Sequence, residues 1–99
     1  MELSGRLDSD SALQIEADTL PRIHGGVREM LFDCGRLEYI TGAGIQTLLR
    51  IAREMHAVSG KFAVCNLQPQ VKEMFDMCGL ENIIPIYEDQ TSAKFAMAA

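Results

Sequence analysis

Residues 27–55 read VREMLFDCGRLEYITGAGIQTLLRIAREM, and two parts of this stretch decide the fold class. Met30-Leu31-Phe32 is a continuous apolar run bounded by polar residues, the pattern of a strand covered on both faces. From Ile45 the pattern takes a helical period: Ile45, Leu48, Ala52 and Met55 form one stripe, Leu49 and Ile51 widen it, and Gly60 stops it. Between the two, residues 33–40 read as an irregular connection ending in the apolar pair Tyr39-Ile40. Thr41-Gly42-Ala43-Gly44 then opens the helix.

The same alternation extends in both directions. Upstream, residues 1–7 read as a short strand through Met1, Leu3 and Leu7, weakened by Gly5. Ser11 and Gln14 have capping-box spacing, and Leu13, Ala17 and Leu20 follow as the apolar stripe of a helix that Pro21 should kink or end early and Gly25-Gly26 should stop. Downstream, Phe62-Ala63-Val64-Cys65 is a buried strand. A helix begins at Gln68-Pro69, with Val71, Met74, Phe75 and Cys78 as its apolar face and Gly79 as its left-handed cap. Residues 83–87 form a last short strand, in which Pro85 marks an edge or a strand end. Residues 89–98 form a helix capped by Asp89 or Thr91 and packed through Ala93, Ala96 and Met97. The order predicts an α/β fold: a small, mostly parallel (mixed) sheet of about four strands flanked by about four helices, in one domain over residues 1–99.

Composition narrows the function. The 99 residues carry a formal net charge of −5, and the basic residues are scattered, which argues against a nucleic-acid surface. Cys34, Cys65 and Cys78 match no zinc or redox spacing; they read as small buried hydrophobes of a reducing cytosol. No apolar run reaches membrane-span length, and Met1-Glu2-Leu3-Ser4-Gly5 lacks the basic and apolar regions of a signal peptide.

Catalysis and cofactor binding find little support. His24 and His56 both fall near helix C-terminal ends, where histidine commonly interacts with the helix dipole. Asp33 follows the central strand, where catalytic carboxylates do occur, but the role expected here is local, accepting bonds from backbone N–H groups of the following turn. The glycines at 42 and 44 open a helix whose N-terminus could receive an anion, yet they lack the lysine of a phosphate loop and the third glycine of a dinucleotide loop. No enzyme activity, cofactor or metal is expected.

Taken in order, several segments resemble the STAS domain family, the bacterial anti-sigma factor antagonists and their relatives. They are Ser4-Gly5-Arg6-Leu7-Asp8, Met30-Leu31-Phe32-Asp33, Tyr39-Ile40-Thr41-Gly42-Ala43-Gly44-Ile45, Cys78-Gly79-Leu80 and Ile84-Pro85-Ile86-Tyr87, followed by the alanine-rich final helix. The resemblance implies a cytoplasmic, non-catalytic regulator of transcription that binds an anti-sigma factor, itself a serine kinase. In such antagonists the kinase phosphorylates a serine in an Asp-Ser-Ser/Thr-Gly-Leu segment, and the added charge disrupts docking. This chain departs from that segment. Thr41 stands at the Asp position, Gly42 at the phosphoserine position and Ala43 at the second hydroxyl, while Gly44 and Ile45 keep the pattern. Gly42 has no hydroxyl, so the usual off-switch is expected to be missing. Thr41 is the nearest hydroxyl, and an N-cap is its simpler role.

The expected partner surface is Thr41, Gly42, Ala43, Gly44 and Ile45 with the polar helix face Gln46, Arg50 and Arg53. Two other readings are a STAS subunit of a membrane lipid-transport complex docking on its ATPase, and a ligand or nucleotide sensor. The family resemblance also implies a further strand before residue 4. Without it the first strand would be an exposed edge through which a homodimer could form.

Overall fold

The structure is a computed structural model and describes residues 1–98; Ala99, the last residue of the expected domain, lies outside the described residues. Its elements are β1 (Glu2–Leu7), α1 (Ser9–His24), β2 (Glu29–Ile40), α2 (Gly42–Ala57), β3 (Lys61–Cys65), α3 (Pro69–Met77), a 3-10 turn (Leu80–Asn82), β4 (Ile86–Tyr87) and α4 (Gln90–Ala98). The sheet order is β1-β2-β3-β4, and all three pairings are parallel. Residues 62–65 of β3 are buried in succession, which requires cover on both faces. One core runs through the molecule, built on Phe32, Leu37, Ile40, Leu48, Ile51 and Phe75, with the Phe32 and Phe62 rings in an edge contact at 5.0 Å.

The expected irregular connection at residues 33–40 is strand. Between Glu2↔Asp33 and Ser4↔Arg36, β1 advances two residues while β2 advances three, and a second shift follows Gly5↔Leu37. Each bulge adds one residue to β2, so its buried positions Cys34, Leu37 and Ile40 repeat every three residues rather than every two. The strand begins at Glu29, one residue ahead of the apolar run, and Val27 is exposed.

Helix α1 corrects three further expectations. Its capping box is formed by Asp8 and Ser11, with the Ser11 amide donating to Asp8 Oδ1 at 3.2 Å and the Asp8 amide to Ser11 Oγ at 2.9 Å. Pro21 does not end the helix. It lies one turn from the end, the Gly25 amide still donates to the Pro21 carbonyl at 2.8 Å, and fully buried Ile23 holds the last turn to the core. The buried stripe is Ala12, Thr19 and Ile23, flanked by half-buried Ile15 and Leu20, whereas Leu13 and Ala17 face outward. The other elements follow their patterns, with two exceptions: the last strand is only Ile86–Tyr87, with Ile83 exposed and Pro85 ahead of it, and Cys78 caps α3 in an exposed position, while Cys34 and Cys65 are buried. Burial pushes the Cys34 thiol up to about 12, so it behaves as a small apolar side chain.

Asp33 ties the sheet together at its middle. Its Oδ1 accepts the Gly35 amide at 2.9 Å and Asn66 Nδ2 at 3.2 Å, and its Oδ2 accepts Gln90 Nε2 at 2.6 Å. The local turn bond expected at Gly35 is present, and two distant elements join it. The Gln90 amide leads in holding the Asp33 carboxyl below its ordinary value, with the Gly35 amide and Asn66 adding to it. A depressed carboxyl stabilises the fold above its unfolded value near 3.8, and that stabilisation is lost as pH falls through the lower folded value. Asp33→Asn should therefore lower stability by about 1 kcal/mol at neutral pH. In urea titrations the gap to the parent should close as the pH is taken below 4.

Candidate partner-binding site

The N-terminus of α2 is built against the end of β1. Thr41 is its N-cap, in extended conformation, and its Oγ1 accepts the Gly44 amide at 3.3 Å. The same hydroxyl donates to the Leu7 carbonyl at 3.1 Å, and the Thr41 amide donates to that carbonyl at 2.9 Å. The N-cap role expected for Thr41 is thus met, and its hydroxyl is engaged in two directions.

The two glycines that follow differ in kind. A Cβ on Gly44 would lie 2.5 Å from the Leu7 carbonyl oxygen, 2.7 Å from Leu7 Cγ and 2.9 Å from Ile40 Cγ1. Backbone cannot yield as a side-chain tip can, so Gly44 is required by close packing of the helix on the strand ends. Gly42 is exposed, and a Cβ there would meet nothing within 4 Å. Its backbone lies outside the left-handed region, so neither strain nor space demands glycine at this position.

Of the expected surface residues, Gly42 and Gln46 are exposed, Thr41 and Ala43 are half-buried, and Gly44 and Ile45 are buried. The last two shape the loop from beneath. Gln46, Arg50 and Arg53 are all exposed and lie on one groove of about 440 Å³ between α1 and α2, which Ala43 joins to the loop. Arg50 is not independent: its Nη1 is 2.9 Å from Glu16 Oε1, while Thr47 Oγ1 donates to Glu16 Oε2 at 3.1 Å. Arg53 makes no ion pair among the described residues.

The opposite wall of the groove was missed by sequence reasoning. Leu13, 67% exposed, and Glu16 come from α1. The available signal was the stripe itself: counting from Ala12 rather than Leu13 gives Ala12, Thr19 and Ile23 a common face and turns Leu13 outward. No group of His, Cys, Asp or Glu able to hold a metal ion is found among the described residues, and none of their helices is long and apolar enough to cross a membrane.

A family model for the STAS domain matches residues 1–93. The chain belongs to the STAS domain family. Among this family's members, a protein of Bordetella bronchiseptica named as the anti-sigma factor antagonist BtrV is 34% identical over 94 residues, covering 95% of this chain and 81% of its own length. Among solved structures, an anti-sigma factor antagonist of Thermotoga maritima superposes with a TM-score of 0.93 at 16% identity, covering 99% of this chain and 86% of that one. The antagonist SpoIIAA of Bacillus, in its unphosphorylated form, superposes with a TM-score of 0.84 at 24% identity and the same two coverages, 99% and 86%. The STAS fold accounts for the parallel sheet and its four helices, and the chain is an antagonist-like member by its relatives.

The contrast between the two glycines is directly measurable. Gly44→Ala should destabilise by about 2–3 kcal/mol through overpacking against backbone. Gly42→Ala should be neutral or stabilising by about 0.5 kcal/mol, as for an exposed glycine in a helix. Urea midpoints at constant slope would check both, and equal losses at the two sites would contradict the packing described.

Proposed function

We propose that this STAS domain is a non-catalytic, cytoplasmic protein-binding module of the anti-sigma factor antagonist kind, whose docking on its partner is not switched by phosphorylation. The observation that carries the reading is Gly42. It occupies an exposed, unobstructed position on the first turn of α2, with room for a serine and no hydroxyl to modify. A phosphoserine there would add nearly two negative charges to the docking face. Thr41 cannot take over that role without giving up its bonds to the Leu7 carbonyl and the Gly44 amide.

The docking face in this reading is the loop Thr41–Gly44 with the groove beyond it. Leu13 supplies an exposed apolar contact, and Arg53 a positive charge without an ion-pair partner among the described residues. The reading takes as partner a kinase-like anti-sigma factor that would meet the loop with its own apolar and acidic side chains. Arg50 contributes less directly, because reversing its charge would also release Glu16.

Gly42→Glu separates docking from folding, since an acidic residue at a helix N-terminus favours the helix. The tagged chain should capture an anti-sigma factor with a kinase-type ATP site from native cytosol, identified by mass spectrometry. Gly42→Glu and Leu13→Asp should each lose it while keeping the parent's circular dichroism. Capture of a transporter ATPase instead, or undiminished capture by both variants, would overturn the proposal.

A further inference from the structure

β3 is paired along only part of the side that faces β4. In a parallel ladder alternate residues bond to the same neighbour. The Lys61 amide donates to the Arg28 carbonyl on the β2 side at 2.8 Å, whereas the Val64 and Asn66 amides donate to the Pro85 and Tyr87 carbonyls at 3.0 and 3.2 Å. Phe62 therefore turns its N–H and C=O towards the β4 side, as Val64 does. Continuing the register from Val64↔Ile86 would set Ile84 opposite Phe62, with the Ile83 carbonyl and the amide of residue 85 as its bonding partners. Neither serves. Residue 85 is proline and has no N–H. Ile83 and Ile84 are wound into the 3-10 turn, their amides donating to the Leu80 carbonyl at 2.9 and 2.8 Å. Among the described residues no other group bonds the Phe62 N–H and C=O, although Phe62 is only 7% exposed.

A cavity of about 310 Å³ lies on this gap, with Phe62 in its wall. We propose that it binds a small molecule with a planar donor–acceptor edge, a primary amide or its heteroaromatic equivalent, carried on an apolar body. The carbonyl of that edge accepts the Phe62 N–H and its N–H donates to the Phe62 carbonyl, which completes the ladder at the one residue where Pro85 interrupts it. Buried Met55 of α2 and buried Met97 of α4 line the cavity, and their thioethers suit an aromatic body. Half-buried Ala52 and exposed Ile83 complete an apolar wall. An extended peptide has no comparable place. The next residue of β3 that bonds on this side, Val64, is already held by the Pro85 carbonyl, so the gap is one residue long. The volume lies at the small end of the range for small-molecule sites. The cavity shares no lining residue with the groove between α1 and α2, so it does not depend on the docking face.

Titration of the full chain with benzamide, followed by amide and methionine-methyl NMR, tests this. The Phe62 amide should shift and saturate, and the Met55 and Met97 methyls should shift with it. Methyl benzoate, with the same ring and no donor, should bind about tenfold more weakly or worse, because it leaves the Phe62 carbonyl unpaired. Pro85→Ala supplies the missing N–H from an exposed position, and Ala52→Leu fills part of the cavity. Each should weaken benzamide by about tenfold while the rest of the spectrum keeps the parent's dispersion. No saturable shift at Phe62 with millimolar benzamide, saturation mapping only to other surfaces, equal binding of methyl benzoate, or binding indifferent to both variants would overturn the inference.

Discussion

The Leu7 carbonyl is the point on which the two halves of this molecule meet. It accepts both the amide and the hydroxyl of Thr41, closing the end of β1 onto the end of β2, and it lies where any side chain on Gly44 would have to go. That contact sets the depth at which α2 starts. Given that depth, Ile45, Leu48, Ile51 and Met55 reach the core, and the first turn stands clear of the sheet with Gly42 outermost. The buried face of α2 and its exposed first turn are thus consequences of one close approach.

Much of this was legible from residues alone. The stripe from Ile45 to Met55, the buried β3 run, Pro69 at the start of α3 and the left-handed Gly79 each follow from local rules, and the structure keeps them. β2 was legible only in its first half. Its second half is paired through two bulges, and a bulged strand has no period of two to detect. In α1, Leu13 has the right residue type for a core position and the wrong angular position. The face that is inward is the one Ala12, Thr19 and Ile23 share. The candidate loop was readable by its resemblance to the family pattern. The difference between a glycine held by packing and one held by nothing was not, because it depends on Leu7 and Ile40, distant in sequence from Gly44 or set back from it.

The electrostatics of the loop give that difference its meaning. A helix start tolerates or welcomes negative charge from the standpoint of its own stability. A partner surface that approaches the same turn responds to charge independently of the helix. On this chain the first turn of α2 presents hydrogen at position 42, and the nearest hydroxyl is turned back into the Leu7 junction.

The proposal of docking without a phosphorylation switch rests on glycine at position 42 of the α2 start. Its most direct measurement is the intact mass of the chain and of Gly42→Ser after incubation with the partner kinase and ATP. The account predicts no mass change in the parent and the gain of one phosphoryl group in Gly42→Ser, mapped to residue 42. Phosphorylation of the parent at Thr41 would contradict it.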